Sequence, residues 1–292
     1  MNHSFLGILF YRIEPRISLI YKLQHSEFSI HYNILSQAMQ ILSNNAYAYT
    51  TLETWIPMSP NIKPLVSNNY TCSYTLNYNG FSGMVEGYLK KIKNQVDYVD
   101  YAQLFSNPFI ESEIRTGSAK AYGIEISFQK NQGNTKCLIS YSYARVLYSI
   151  SQINSIDTYR APYDIPHDIK IQINQEITSR LSCNAMWIFT SGRPATFPRG
   201  YYYYQTPTGK VEVPIYSVRN ADSYPNYHRL DIAFRYGFKG RKMIEHSLSL
   251  GVFNVYGRVN PLSYTFNNEQ QIVTVTYFNF VLPSLTYVLK FK

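Results

Sequence analysis

The 292-residue sequence predicts an all-β protein built from antiparallel strands, and three observations support this prediction. Aromatic residues make up 16% of the chain, with 29 Tyr and 16 Phe. Only 15% of residues are charged, whereas soluble domains usually have about a quarter. Apolar and polar residues alternate with a period of two in many segments, as expected for strands that are apolar on one face. Aromatic and β-branched side chains fit such a pleated surface.

The alternation recurs from one end of the chain to the other. In segment 122–129, apolar residues occupy the even positions, and polar residues or glycine occupy the odd ones. Segments 28–34, 70–78, 137–143 and 168–174 repeat the pattern. Twelve strands follow from it: 16–24, 27–36, 66–78, 81–94, 119–131, 135–146, 167–176, 179–190, 227–237, 244–256, 260–267 and 271–291.

The connections between these strands fall into two classes. Turns such as Asn79-Gly80 and 131–134 are tight, whereas four connections are long: 37–65, 95–118, 147–166 and 191–226. Tight and long connections alternate along most of the chain, which is typical of bacterial outer-membrane barrels with short periplasmic turns and long extracellular loops. The alternation fails over 238–270, where three short connections follow one another, so one predicted strand break there is expected to be wrong.

A soluble β-sandwich shares the alternation within strands and is the alternative fold. Strands longer than ten residues, with Tyr and Phe at their ends, favour the transmembrane barrel. No stretch of about 20 apolar residues could form a spanning helix. The apolar stretch 5–10 is shorter than the core of a signal peptide and has no basic flank. Insertion in a membrane is therefore expected to use strands.

Charge and cysteine spacing argue against several functions. The net charge of +9 comes from Lys and Arg residues scattered singly, with no basic run, so nucleic-acid binding is not expected. Diffuse positive charge is better suited to an anionic membrane surface. Cys72, Cys137 and Cys183 lie far apart and lack the spacing of a zinc site or a disulfide framework.

An ordered series of short motifs runs through nearly the whole chain. The motifs are Tyr11-Arg12-Ile13-Glu14-Pro15-Arg16, Trp55-Ile56-Pro57, Ile62-Lys63-Pro64, Gly123-Ile124-Glu125, Ser140-Tyr141-Ser142-Tyr143, Pro166-His167-Asp168, Ser191-Gly192-Arg193-Pro194, Tyr227-His228-Arg229-Leu230-Asp231, Phe253-Asn254-Val255-Tyr256 and Asn260-Pro261. In this order they resemble the later barrel strands of TonB-dependent receptors, particularly the type abundant in Bacteroidetes. The last strand adds support, because apolar residues alternate there up to Phe291, as in the assembly signal of outer-membrane proteins. Lys292 follows where such proteins usually end on an aromatic residue.

The resemblance implies a barrel of about 22 strands in the outer membrane of a Gram-negative bacterium. It also implies an N-terminal plug and a TonB-type energy coupler that contacts a short N-terminal motif. This chain has room for about twelve strands, with residues 1–292 forming one barrel domain and no plug domain or coupling motif. It is therefore expected to be the C-terminal part of a receptor. A half barrel leaves two unpaired edges, and each unsatisfied backbone group in lipid costs several kcal/mol. Closure would need a separately encoded half or oligomerisation; otherwise the gene is a remnant.

The candidate ligand-binding residues lie in the long connections. They are Trp55, Arg193, Arg199, Tyr201, Tyr202, Tyr203 and Tyr204. Tyrosine rings could stack on a sugar or on the aromatic groups of a siderophore, and the cations could meet its charge. The structural alternative is an aromatic girdle or packing within the loops.

Catalysis and metal binding are not expected. His167-Asp168 and His228 with Asp231 begin strands, and no positioned nucleophile accompanies them. The charged residues on polar strand faces are expected to face the water-filled lumen or a plug; they are Glu86, Glu125, Lys170, Arg180 and Arg235. No cofactor is expected.

Two functional hypotheses follow. The first is a part of an energy-coupled receptor that imports a scarce, bulky nutrient such as a metal chelate, a cobalamin-like compound or a glycan, and that does not transport on its own. Its partners are outer-membrane lipid, the missing plug and N-terminal barrel half, the energy coupler and a small nutrient ligand. The second is a soluble or surface-attached β-sandwich that binds carbohydrate through its tyrosines.

Overall fold

The computed structural model describes most of the chain. The described residues are 2–5, 8–42, 54–100, 102, 106–153, 158–216, 218–238, 244–261, 264–266, 272–274, 277–278 and 280–291. Among them, no helix is both long and apolar enough to cross a membrane.

Eleven strands form one antiparallel ladder in chain order. They are β1 Arg16–Lys22, β2 Ser26–Gln37, β3 Leu65–Tyr78, β4 Phe81–Tyr98, β5 Ile114–Lys130, β6 Thr135–Ser149, β7 His167–Glu176, β8 Leu181–Thr190, β9 Tyr227–Phe238, β10 Ile244–Phe253 and β11 Leu282–Phe291. A short strand, Tyr159–Arg160, also pairs with β6. The prediction of an all-β antiparallel fold is confirmed. The ladder is one sheet, unlike the two packed sheets that the β-sandwich alternative requires.

Strand register aligns the apolar positions of neighbouring strands into continuous rows. One row contains Phe28, Tyr74, Val85, Ile126, Tyr141 and Ile169. These side chains are partly or largely solvent-exposed, with Tyr74 at 46% and Val85 at 48%. The next row, on the opposite face, contains Ser29, Ser73, Glu86, Glu125, Ser142 and Asp168. The sheet therefore has an apolar outer face and a polar inner face, as the wall of a barrel in lipid does.

Aromatic side chains border the apolar face at both ends. At one end the rings of Tyr32 and Tyr70 lie 5.1 Å apart, and at the other those of Phe81 and Phe128 lie 5.9 Å apart. Along β3, the separation from Tyr70 to Tyr78 corresponds to about 27 Å. At a strand tilt of ~40° this becomes about 21 Å across the membrane, close to the ~25 Å apolar band of outer-membrane barrels.

Short and long connections alternate along the whole ladder. The short ones are 23–25, 79–80, 131–134, 177–180 and 239–243, and the long ones are 38–64, 99–113, 150–166, 191–226 and 254–281. In the turn after β3, Asn79 and Gly80 have φ of +47° and +79°, as a two-residue hairpin turn requires. All long connections leave the same end of the sheet, which we call the loop end.

The structure corrects the strand list near its C-terminal end. The predicted strand 260–267 is not part of the ladder, because β11 pairs directly with β10. Its described residues form small pairs within the long connection: Asn260–Pro261 with Tyr277–Phe278, and Tyr264–Phe266 with Ile272–Thr274. The predicted strand 271–291 likewise begins in that connection, and its ladder part is β11 alone. Of these two predicted strands, residues 262, 263, 267, 271, 275, 276 and 279 lie outside the described residues. Arg180, expected on a strand face, lies in the turn before β8.

β1 and β11 are the two ends of the ladder. Among the described residues, neither pairs with a strand on its outer side. All seven residues of β1 are exposed. Because eleven is an odd number, both end strands run in the same direction, from the loop end to the end with the short turns.

Candidate functional site at the loop end

Four long connections pack together above the loop end of the sheet. This loop cluster consists of the described parts of 38–64, 99–113, 150–166 and 191–226. Its first apolar group contains Tyr148, Ile150, Ile153, Tyr159 and Ala161 with Ala119 of β5. Its second contains Leu42, Ile56, Ile62, Val96 and Ile114. The sequence predicts these segments only as long connections, because their isolated isoleucines carry no periodic signal.

A buried ion pair joins two distant parts of the loop cluster. Arg219 Nη1 lies 3.2 Å from Asp97 Oδ2, and the two side chains are 10% and 7% exposed. Arg219 also donates to Asp100 at 2.7 Å and to the carbonyl oxygen of Tyr98 at 2.7 Å, and it stacks 4.2 Å from the centre of the Tyr98 ring. The Tyr159 hydroxyl donates to Asp97 Oδ2 at 2.7 Å. The network ties connections 150–166 and 191–226 to the end of β4.

Burial sets the electrostatics of this network. Asp97 and Tyr98 follow a β-bulge at Asn94 in β4. They lie on the part of β4 that extends beyond the aromatic rows toward the loop end. Burial raises the pKa of Asp97, although Arg219 and the hydrogen bond from Tyr159 act in the opposite direction. Burial also raises the pKa of Tyr98 to about 12. Removing Arg219 would therefore leave a carboxyl group whose environment favours the protonated form.

A second buried carboxylate, Asp164, organises connection 150–166. Its side chain is 0% exposed. It accepts hydrogen bonds from Arg145 Nε at 3.2 Å, Arg160 Nε at 2.8 Å and the Val146 backbone N–H at 2.6 Å. Arg160 also donates to Ser223 Oγ at 2.7 Å, which links this connection to 191–226. Two cations thus neutralise one buried acid, as burial of a charge requires.

The four consecutive tyrosines lie on a hairpin within connection 191–226, formed by Pro198–Thr206 and Gly209–Tyr216. Because side chains alternate along a strand, they point to opposite faces. The face that we call the apolar hairpin face contains Tyr202, Tyr204, Val211, Val213 and Ile215. The polar hairpin face contains Tyr201, Tyr203, Lys210 and Glu212. Tyr202 and Tyr204 are 50% and 61% exposed, so the hairpin presents an open aromatic surface.

The other candidate ligand residues lie at separate places. Trp55 is 52% exposed on the hairpin formed by Met39–Leu42 and Thr54–Pro57, opposite Ile41. The guanidinium of Arg193 lies 4.5 Å from the centre of the Tyr224 ring. Arg199 forms an ion pair with Asp222. The two arginines belong to the base of the tyrosine hairpin, whereas Trp55 belongs to a different connection.

The histidine and aspartate pairs at the strand starts engage neighbouring side chains. His167 Nδ1 lies 3.0 Å from the Tyr141 hydroxyl, and His228 Nδ1 lies 2.9 Å from the Tyr256 hydroxyl. Asp231 pairs with Arg229 at 3.0 Å. Within the described part of the chain, no group of three or more His, Cys, Asp or Glu side chains is placed to hold a metal ion.

The fold and the loop end define a class of protein: an antiparallel membrane-barrel wall that carries a folded, aromatic-rich loop cluster at one end. The family model that matches the chain, over residues 12–255, is described as TonB dependent receptor-like, beta-barrel. The chain therefore belongs to this family of receptor barrels. A search of curated protein sequences found no significant match.

Solved structures share the fold at low sequence identity. The ferripyoverdine receptor of Pseudomonas aeruginosa is 13% identical with a TM-score of 0.60, over 97% of this chain and 33% of the receptor. The ferric-catecholate import receptor Fiu of E. coli is 14% identical with a TM-score of 0.57, over 95% and 34%. The FrpB iron transporter of Neisseria meningitidis is 10% identical with a TM-score of 0.58, over 98% and 40%. The chain thus spans a third to two fifths of the length of these proteins.

Proposed function

We propose that this chain is the C-terminal part of the barrel of an energy-coupled receptor in the outer membrane of a Gram-negative bacterium. The observation that supports this best is the register-aligned apolar face, which is exposed and bounded by aromatic residues at both ends. A protein that exposes an apolar surface of this extent would aggregate in water, whereas lipid chains can cover that surface in a membrane. The polar face then lines the lumen, with Glu86 and Glu125 directly opposite each other.

The direction of the two end strands constrains how the barrel closes. β1 and β11 run the same way, so antiparallel pairing at both seams needs an odd number of additional strands. A second copy of this chain in the same membrane orientation would place its β1 parallel to β11. We infer that a different segment with an odd number of strands, together with the plug, completes the receptor. The family implies a barrel of about 22 strands. Subtracting the eleven strands of this ladder leaves eleven for the other segment, which is an odd number.

The proposed activity is uptake of a scarce, bulky nutrient: a metal chelate, a cobalamin-like compound or a glycan. The proposed ligand surface lies at the loop end and includes Tyr201, Tyr202, Tyr203 and Tyr204. Arg193 and Arg199 lie at the base of the same hairpin, and Trp55 lies on the separate hairpin in connection 38–64. Exposed aromatic rings can stack on planar or sugar ligands, and cations can meet acidic ones. Energy coupling to a TonB-type protein would act through the plug, so this chain alone is not expected to transport. We infer no catalytic role.

Fractionation of the cell envelope tests the proposal. An antibody against residues 282–291 would be used on soluble, inner-membrane and outer-membrane fractions, with and without heating before electrophoresis. An outer-membrane band well above 33.9 kDa that shifts on heating would support a barrel of which this sequence is a part. A band at 33.9 kDa in the outer membrane would indicate a separately made half that needs a partner. A band in the soluble fraction would contradict the proposal.

A further inference from the structure

Three lysines lie together on the outer face of the sheet near the loop end. Lys91 of β4 and Lys120 of β5 are directly opposite each other, and Lys93 is the next outer-face residue of β4. All three are exposed. Directly opposite side chains have Cβ atoms about 4.5–5.5 Å apart, and diagonal ones about 7–8 Å. Three flexible ammonium groups at these spacings can reach a single anion.

The register places these lysines at the edge of the apolar band. The next outer-face row toward the band contains Tyr70, Leu89 and Tyr122. Lys120 Nζ lies 5.2 Å from the centre of the Tyr122 ring. Aromatic rows mark the level of the lipid head groups. The ammonium groups therefore lie at the height of head-group phosphates, on the side of the wall that faces lipid.

The positive charge of this group is not neutralised within the described residues. None of the ion pairs found there involves Lys91, Lys93 or Lys120. In connection 150–166, which follows the neighbouring strand β6, the carboxylate of Asp164 already pairs with Arg145 and Arg160. Like charges directly opposite each other destabilise a sheet. A bound anion would remove that repulsion.

We propose that Lys91, Lys93 and Lys120 bind the phosphate of a phosphorylated lipid in the leaflet at the loop end. This inference rests on the proposed insertion of the chain in the outer membrane. A lipid would make more contacts with this site than a free anion would. Its phosphate would bind the ammonium groups, and its acyl chains would pack on the apolar rows next to the lysines. Asn68 lies opposite Lys91 on β3 and can add a hydrogen bond from the same face.

Native mass spectrometry of the complete receptor, purified in detergent, tests the site. The probes are diphosphorylated lipid A, the same lipid with its phosphates removed, and inorganic phosphate as a competitor. The test variant is Lys91→Gln with Lys120→Gln, and Lys91→Arg with Lys120→Arg preserves the charge. Lys130→Gln is the matched control, since Lys130 lies on the outer face of the same strand β5 but at the opposite end.

The wild type, the arginine variant and the Lys130→Gln control should retain the phosphorylated lipid. The double glutamine variant should bind it about 30-fold more weakly, given the contribution of about 1 kcal/mol per lysine near an anionic surface. Heat-modifiable migration would show that each variant is folded. Equal retention by the double glutamine variant, or equal retention of the dephosphorylated lipid, would overturn the inference while leaving the receptor assignment intact. Displacement by inorganic phosphate at the lipid's own concentration would show a site for free anions and would also overturn it. A protein that is soluble without detergent would refute both proposals.

Discussion

Replacing Arg219 with methionine removes the cation that joins connection 191–226 to β4. The native guanidinium contacts Asp97 at 3.2 Å, Asp100 at 2.7 Å and the carbonyl oxygen of Tyr98 at 2.7 Å. Methionine keeps the apolar stem but supplies neither charge nor donors. We expect connection 191–226 to separate from β4 much more often in this variant, while the membrane-spanning strands stay intact.

The burial of the pair sets the size of the effect. Removing one partner of a buried ion pair costs about 3–5 kcal/mol, because the other charge remains in an apolar environment. Asp97 keeps hydrogen bonds from the Tyr159 hydroxyl and the Tyr98 backbone N–H, and it can also take up a proton. We therefore expect the lower end, about 3 kcal/mol, which corresponds to opening about 100-fold more often.

Hydrogen exchange of backbone amides in 159–164 and 218–224 measures this opening. Arg199→Met is the matched control in the same connection. The Arg199 side chain is 59% exposed in its pair with Asp222, so its loss should cost no more than about 1 kcal/mol. The double variant Asp97→Asn with Arg219→Met should recover much of the protection, because it leaves no unpaired buried charge.

The pH dependence follows from the direction of the shift in the Asp97 pKa. Burial raises this pKa above its unfolded value, and removing Arg219 raises it further. A raised carboxyl pKa means that the folded loop cluster binds a proton more tightly than the unfolded segment. The instability of Arg219→Met should therefore be greatest at neutral pH and should shrink as pH falls through the folded-state pKa. The quantity to compare is the free energy of opening lost in Arg219→Met relative to the native protein, after correction for the intrinsic exchange rate at each pH. An equal loss at pH 7.5 and pH 5, or no recovery in the double variant, would refute the reasoning.

Three further outcomes are expected. Replacing Tyr202 and Tyr204 of the apolar hairpin face with alanine should weaken ligand binding at least about tenfold in a whole-cell binding assay. Replacing Tyr201 and Tyr203 of the polar hairpin face with alanine should have a smaller effect. The reverse order would assign recognition to the polar hairpin face. Gly192→Ala should increase hydrogen exchange at the base of the hairpin, because a Cβ there would lie 1.6 Å from the Tyr224 carbonyl oxygen. Gly87→Ala is the control and should leave exchange unchanged, because a Cβ there would have no atom within 4 Å. Glu86→Gln should raise the midpoint of heat-induced unfolding in gel-shift assays, because it removes the repulsion between Glu86 and Glu125, which lie directly opposite each other. The increase should be equivalent to about 0.2–1 kcal/mol. A lower midpoint would mean that the Glu86 carboxylate binds a cation.

The wall of the sheet could be predicted from the sequence because its signal is local. In 122–129, alternation within a few residues gives both the strand and the face of each side chain. The same rule produced the error at 260–267, where Tyr264 and Phe266 alternate within a small pair of strands inside a long connection. Alternation reports a pleated backbone, but it does not report which strand is the neighbour.

The loop cluster could not be predicted, because its contacts join residues that are far apart in the chain. Asp97 and Arg219 are separated by 122 residues, and each is an ordinary charged residue in its local sequence. The pairing of Lys91 with Lys120 is hidden for the same reason, since it depends on the register between β4 and β5. The tyrosine run was visible, but its division between two faces depends on the hairpin that contains it.

The loop end combines a fixed base with an exposed tip. At the base, Asp222 binds the Phe197 backbone N–H and pairs with Arg199, while Asn220 donates to the carbonyl oxygen of Arg160. These contacts hold connection 191–226 against its neighbours, so the hairpin leaves the loop cluster from a defined position. Tyr202, Tyr203 and Tyr204 at the tip are exposed and contribute little to that packing. Substitutions at the tip should therefore change which ligand binds without changing the fold, whereas substitutions of buried base residues such as Asn220, which is 2% exposed, should change whether the surface forms at all.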